Sequence, residues 1–263
     1  MKIGFIGLGN MAGAMIGGLV KGGVSGNDIL GFDLSMSAKE SRKAEFGITI
    51  CEDNKEVAEK ADYIVLAVKP QFLAPVLEEI DIALKSNKVI ISIAAGKSLE
   101  YLMKGIKNTQ KIVRCMPNTA ALVGAAITAV TPSEAVTEEE LANAINIIES
   151  FGKASVVPER LMDAVTGVSG SSPAYVFMFI EAMADAAVLE GMPRAQAYEF
   201  AANAVYGSAK LMIDTGKHPG ELKDMVCSPA GTTIAGVKAL EDGAFRANVM
   251  EAVVAAAERS KEL

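Results

Sequence analysis

Over residues 1–157, short apolar runs alternate with stretches in which apolar residues recur at helical spacing. Ile3, Phe5 and Ile6 form the first run, and Met11, Ala14, Met15, Gly18 and Leu19 then repeat every three to four positions. Residues 28–33 (DILGFD) read as a second strand, with Gly22 and Gly23 punctuating the loop before it. An amphipathic helix over 38–46 ends at Gly47, and a short strand (48–51) and a helix (54–60) follow. Residues 63–68 are apolar without a break, the mark of a strand buried on both faces of a parallel sheet, and Lys69-Pro70 stops it. The pattern goes on with a helix at 76–84, a strand at 88–94, a helix at 99–106 and a strand at 111–116. An apolar β-rich stretch (121–130), an amphipathic helix (138–151) and a short strand (154–157) complete it. Strands alternating with helices predict an α/β fold, a Rossmann-like doubly wound parallel sheet.

After Pro158 the periodicity changes. Helices are expected at 162–168, 173–190, 195–215, 219–226, from Ile234, and from Phe245 to the end, with no strand of any strength. Two domains follow: 1–159, dinucleotide-binding, and 160–263, all-α. The helix at 173–190 is apolar on most faces, so it must be buried, here by a second subunit.

The order strand, Gly7-Leu8-Gly9-Asn10-Met11-Ala12, helix is what a dinucleotide pyrophosphate needs. Gly7 allows a tight turn, Gly9 lets phosphates approach the backbone, and Ala12 lets helix and strand pack closely. The first N–H groups of the helix then face the phosphates. Asp33 stands where an acidic residue bonds the adenosine ribose, or is a strand-end turn residue; Ser35, Ser37, Lys39 and Arg42 follow as candidates for a 2′-phosphate. Lys69 and Asn118 both sit at carboxyl ends of strands, where ligands lie in such sheets, or are ordinary strand-end and turn residues. Residues 228–233 (SPAGTT) open a helix with small residues and two hydroxyls. They form either a carboxylate-binding nest or a Ser/Thr cap. His218, the single histidine, precedes Pro-Gly-Glu at a helix start, where capping explains it. Glu181 and Asp185 face neighbouring helices rather than forming a catalytic pair.

Bulk properties narrow the partners. The chain is 51% hydrophobic and 22% charged, hence globular, and its net charge of -7 argues against nucleic acid or an anionic membrane as partner. Cys51, Cys115 and Cys227 share no metal-type spacing and read as reduced, buried thiols of a cytoplasmic protein. No metal site is expected. A strand at Ile3 leaves no room for a signal peptide, and the apolar runs around 120–130 and 173–180 are too short to cross a bilayer.

Several motifs together resemble the pyrroline-5-carboxylate reductase family over essentially the whole chain. They are IGLGNM (6–11), ADYIVLAVKPQ (61–71), MPNT (116–119), GVSGSSPAY (167–175), HPGELKD (218–224), SPAGTT (228–233) and ERSKEL (258–263). The resemblance implies hydride transfer from NADPH or NADH to the imine carbon of 1-pyrroline-5-carboxylate, giving L-proline. It implies that Ile6, Gly7, Leu8, Gly9, Asn10, Met11, Asp33, Ser35, Asn54, Ala67, Val68, Lys69, Pro70 and Asn118 line the cofactor. Ser228, Gly231, Thr232 and Thr233 would cradle the substrate carboxylate, with Thr233 bonding the ring nitrogen as the catalytic residue. It also implies a homodimer through the helical domain, assembled further in many members. One departure is Ala230, where members often have glycine; the loss is small if that backbone avoids positive φ. The rival, a β-hydroxyacid dehydrogenase, needs a lysine and an asparagine where this chain has Val176 and Phe179.

Overall fold

The computed structural model describes residues 1–262; Leu263, the last residue of the ERSKEL motif, lies outside the described residues. By its own contacts the chain forms two compact units, Met1–Ser171 with the tail from Ala255, and Ser172–Val254.

The first unit is built on β1 (Ile3–Ile6), α1 (Asn10–Lys21), β2 (Ile29–Phe32), α2 (Met36–Phe46), β3 (Thr49–Ile50) and α3 (Asn54–Lys60). Then come β4 (Tyr63–Leu66), α4 (Leu73–Asp81), β5 (Val89–Ser92), α5 (Leu99–Gly105) and β6 (Ile112–Met116). After them follow β7 (Ala126–Pro132), α6 (Glu138–Glu149), β8 (Gly152–Val156) and the short α7 (Met162–Val165). The strands form one eight-stranded sheet in the order β3-β2-β1-β4-β5-β6-β7-β8. β1, β4 and β5 are buried along their whole length, so each faces a helix layer on both sides. One layer packs Met15, Ile16 and Leu19 of α1 with Ala144, Ile147 and Ile148 of α6 against Ile3 and Phe5. The other packs Val57, Leu77, Ile80 and Leu102 against Ile6, Ile64 and Ile90. Chain order reverses direction between β1 and β4, the switch point where open α/β sheets bind ligands.

The sheet is not parallel throughout. β7 pairs antiparallel with β6, and β8 runs parallel to β7, so the last two strands oppose the first six. A parallel return needs a crossover of a dozen or more residues, and the connection over 117–125 is too short for one. Burial periodicity gives no direction, so the expectation of an all-parallel sheet fails at this edge.

The structural break falls later than the sequence break at 159/160. Glu159 accepts from Nη1 of Arg114 at 2.8 Å and from the Leu99 N–H at 2.7 Å. Met162 is buried, and Asp163 accepts from the Ser260 hydroxyl at 2.8 Å. These contacts keep residues beyond 159, and the end of the chain, in the first unit.

The second unit comprises α8 (Ser172–Leu189), α9 (Arg194–Thr215), α10 (Pro219–Val226), α11 (Thr232–Asp242) and the start of α12 (Phe245–Lys261). Its core is thin: Ala184, Ala197 and Ala201, with Ile180, Met183 and Val188 partly buried around them. Phe177, Met178, Phe200, Tyr206 and Met250 are exposed. Among the described residues one helical run, Glu159–Leu189, is long and apolar enough to cross a membrane by length and composition. This departs from the expectation drawn from separate apolar runs, because a π turn at Thr166–Gly170 carries the helix past Gly170 rather than ending it.

One polar contact ties the start of β6 to the helix layer. Lys111 Nζ donates to Glu140 Oε1 at 2.6 Å, and Glu140 also closes a capping box with Thr137 at the start of α6. Burial alone would raise the Glu140 carboxyl, but hydrogen bonds from Lys111 and Thr137 outweigh it and hold the group below the usual carboxylate range. A lowered folded-state value stabilises at neutral pH and is lost as pH falls through it. Lys111→Met should therefore cost about 1–2 kcal/mol at neutral pH, and the deficit should close as Glu140 protonates. Urea unfolding across the acid range measures this; a deficit independent of pH would remove the ion pair from the account.

Candidate functional site

The turn after β1 rests on two glycines for different reasons. Gly7 has φ +92°, and a Cβ there would stand 2.9 Å from the carbonyl carbon and oxygen of Ala67. Only glycine lets β1 leave past the end of β4. Gly9, the N-cap of α1, has an ordinary φ of -67°, but apart from its chain neighbours no protein atom lies within 4 Å of where its Cβ would be. The first helical bond of α1 runs from Gly13 N–H to Gly9 O at 2.9 Å, and no side chain caps the helix. The N–H groups of Asn10, Met11 and Ala12 are thus left without helical partners.

In front of this turn lies a cavity of about 540 Å³. Of the residues expected at a cofactor, Gly7, Gly9, Asp33, Ser35, Asn54, Ala67, Val68 and Lys69 line it. Ile6 and Leu8 do not, because their side chains are buried in the core. Asn10 lines a different cleft, of about 720 Å³, along the outer face of α1. Met11, Pro70 and Asn118 line neither. Asn118 follows the carboxyl end of β6, and its Oδ1 is buried without a hydrogen-bond partner. The remaining lining, unanticipated from sequence, is Phe32, Leu34, Phe72, Pro75, Val76 and Glu79. Phe72, Val76 and Glu79 recur at one helical face just after Lys69-Pro70, a spacing that could have marked them.

At the end of β2, Asp33 takes the strand-end turn role and adds a sequence-distant contact to the glycine turn. Asp33 accepts from the Leu8 N–H at 2.7 Å and from the Ser35 N–H at 2.8 Å, one with each oxygen. Its carboxylate therefore braces the glycine turn and the strand end. The Ser35 hydroxyl accepts from Ala38 N–H at 3.3 Å, capping α2, and lies 2.9 Å from the Ser37 hydroxyl. Lys39 Nζ stands 4.9 Å from the centre of the Phe32 ring. Arg42, expected near a 2′-phosphate, instead donates from Nε to Leu8 O at 3.3 Å and from Nη1 to Glu45 at 2.8 Å.

In the second unit, residues 228–231 form a tight turn closed by Gly231 N–H on Ser228 O at 3.0 Å. Pro229 occupies its second position and Ala230 its third, with φ +58°. The condition for a harmless alanine fails here: a proline-led turn of this hand places its third residue in the left-handed region. A Cβ on Gly231 would lie 2.3 Å from the Ser228 hydroxyl, so this position too must stay small. α11 starts at Thr232, two residues earlier than expected, with Gly231 as N-cap and no side-chain cap. Thr233 thus lies inside the first turn and does not cap it. The N–H groups of Thr232, Thr233 and Ile234 lack helical acceptors.

Other candidates resolve into structural roles. His218 Nδ1 accepts from Gly220 N–H at 3.1 Å and caps α10. Asp185 pairs with Arg194 at 2.5 Å on an exposed face. Burial raises the Cys51 thiol to about 11, and burial also pushes the Cys115 thiol up, so neither is a ready nucleophile. Among the described residues no group of three His, Cys, Asp or Glu could hold a metal ion.

Comparison with known proteins gives a consistent picture. Residues 159–263 match the family model for pyrroline-5-carboxylate reductase dimerisation, and residues 2–96 match that for NADP oxidoreductase, coenzyme F420-dependent. The chain is 53% identical to the pyrroline-5-carboxylate reductase of Escherichia coli K12, over 100% of this chain and 98% of that one. A pyrroline-5-carboxylate reductase structure from Coxiella burnetii superposes with a TM-score of 0.94 at 33% identity, covering 99% of this chain and 97% of that chain. The Plasmodium falciparum enzyme, solved with NADP bound, gives a TM-score of 0.89 at 33% identity, covering 100% and 97%.

The strained alanine makes a direct test possible. An L-residue in the left-handed region costs about 1–2 kcal/mol, of which glycine's greater unfolded-state freedom recovers part. Ala230→Gly should raise stability by about 0.5–1 kcal/mol. Urea unfolding checks it, and a loss of stability would show that the turn relaxes around alanine without strain.

Proposed function

The chain belongs to the pyrroline-5-carboxylate reductase family, and on that premise we propose how its residues divide the reaction. It is an NAD(P)H-dependent oxidoreductase that reduces 1-pyrroline-5-carboxylate to L-proline, the last step of proline biosynthesis. When bound, the reduced nicotinamide supplies the hydride.

In this proposal the first unit holds the cofactor. The N–H groups of Asn10, Met11 and Ala12 take the pyrophosphate in the open space before Gly9. Leu34, Phe72 and Val76 wall the adenine, while Ser35, Ser37 and Lys39 at the start of α2 take a 2′-phosphate. Each Asp33 oxygen accepts one backbone N–H and keeps a further lone pair, with which it can take a ribose hydroxyl. The reading admits both NADPH and NADH. Asn118 Oδ1 is the buried acceptor for the carboxamide amine.

The second unit holds the substrate. The observation that carries this reading is the uncapped start of α11, where free N–H groups stand beside two threonine hydroxyls. A planar carboxylate takes the N–H groups of Thr232, Thr233 and Ile234 with the Ser228 hydroxyl, and the Thr233 hydroxyl bonds the ring nitrogen. A protonated cyclic imine already accepts hydride at carbon, leaving a secondary amine. No strong general acid is needed, which suits a chain whose one histidine caps a helix.

Association accounts for the apolar helices. The dimerisation model covers the part of the chain where large side chains are exposed around an alanine core. We extend this to a homodimer, built further into an assembly of dimers, and to a cytoplasmic setting that keeps three thiols reduced. The face of Glu159–Leu189 is then buried in protein and not in a membrane. Sedimentation at low micromolar concentration should show a dimer or larger species; a fully active monomer would overturn this assignment.

Thr233→Ala tests the substrate reading. With 1-pyrroline-5-carboxylate and NADPH, kcat/KM should fall roughly 10–100-fold, the loss of a positioned hydrogen bond to a charged group. The urea midpoint should barely move, because Gly231 and not Thr233 caps the helix. Native kinetics in this variant would remove Thr233 from the site.

A further inference from the structure

The cofactor cavity contains one polar pair that the family resemblance does not explain in full. Asn54 opens α3 and is 7% exposed. Its Nδ2 donates to Glu79 Oε2 at 2.7 Å, and Glu79 reaches across from α4. Both residues line the cavity, between the polar end of β2 and the apolar face of Phe72 and Val76.

An asparagine amide has a donor end and an acceptor end of almost the same shape, so its neighbour decides which way round it stands. A carboxylate accepts only. Glu79 therefore draws the amine end of Asn54 to itself and leaves Oδ1 as the end offered to a ligand. Were the amide to turn over, two acceptors would face each other at 2.7 Å in a largely buried place, an arrangement that costs a hydrogen bond and adds repulsion. Asn54 follows β3, on the β3-β2 side of the sheet. In a doubly wound sheet that side holds the adenosine half of a dinucleotide.

We propose that Glu79 is a positioning residue for the cofactor: it fixes the Asn54 amide so that Oδ1 accepts a hydrogen bond from a donor of the adenosine half. The donor is a ribose hydroxyl or the adenine amine. Glu79 acts through Asn54, and its own charge does not contact the cofactor. This rests on the reading of the cavity as the cofactor site.

The test is binding without turnover. NADPH fluorescence titration of the full-length protein, in the absence of any imine, gives Kd for Asn54→Ala, Glu79→Ala and the double variant. Each single variant should raise Kd roughly five- to tenfold, the loss of one hydrogen bond. The double variant should be no weaker than Asn54→Ala, because both changes remove the same bond. Glu79→Gln, which still offers an acceptor, should stay within about twofold of the native chain. Repeating the titrations with the deamino analogue, in which the adenine amine is replaced by a carbonyl, separates the two donors. If the amine is the donor, the native chain alone loses affinity for the analogue; if a hydroxyl is, the variants weaken both cofactors equally. Should Glu79→Ala not fold, Asn54→Asp serves in its place. It should weaken binding by removing the donor to Glu79, and Glu79→Gln in the same chain should restore it by donating back. Weakened Asn54→Ala beside unchanged or tighter Glu79→Ala overturns the positioning role. Unchanged Kd in Asn54→Ala removes Asn54 from the cofactor site, and the proposal with it.

Discussion

The first N–H groups of a helix must find acceptors, and this chain divides its helices by how it supplies them. α2, α3, α5, α6 and α10 begin on Ser35, Asp53, Ser98, Thr137 and His218, and each of those side chains accepts from a first-turn N–H. α1 and α11 begin on Gly9 and Gly231, and nothing from a side chain covers them. α4, α7 and α9 also lack a side-chain cap, on Phe72, Leu161 and Pro193; α1 and α11 differ from them in beginning on glycine, which leaves their first N–H groups approachable by an anion. One is preceded by a strand and faces a long cavity, suiting a pyrophosphate; the other is preceded by a proline turn and flanked by hydroxyls, suiting a small carboxylate.

Leaving donors uncapped works only if the backbone that carries them is held still. Around the first turn the holding is done from outside. Asp33 takes the Leu8 N–H, Arg42 takes the Leu8 carbonyl, and the Ala67 backbone crowds Gly7 from below. Asp33 and Arg42 thus serve the turn itself. What they provide is a turn fixed before any ligand arrives, so that under the proposed pyrophosphate binding little ordering remains to be done.

Much of this was legible in the residues. The glycine turn, the buried run at 63–68 and the change to all-helix after Pro158 each follow from local pattern, and they place the first unit's core. Strand direction did not follow, because apolar periodicity is the same for a strand run either way; only the short link over 117–125 decides it. The role of Asp33 was equally hidden, since its partner is an N–H from another strand's turn. The positive φ of Ala230 was hidden as well, because a proline at the second position suits a turn of either type and only one of them places the next residue in the left-handed region. Glu79 and Phe72 were missed for a simpler reason: the spacing of Phe72, Val76 and Glu79 marks one face at the start of α4 but does not say that this face meets a cavity.

Alanines at the centre of the second unit have a consequence for how this half of the chain comes to exist. Ala184, Ala197 and Ala201 let α8 and α9 approach closely, yet they remove little apolar surface from water. Under the proposed dimer, a unit so poorly supplied from within gains its cohesion by encounter, which makes its folding a second-order event. Dilution then acts on it as a denaturant does, and any melting temperature belongs to a stated protein concentration.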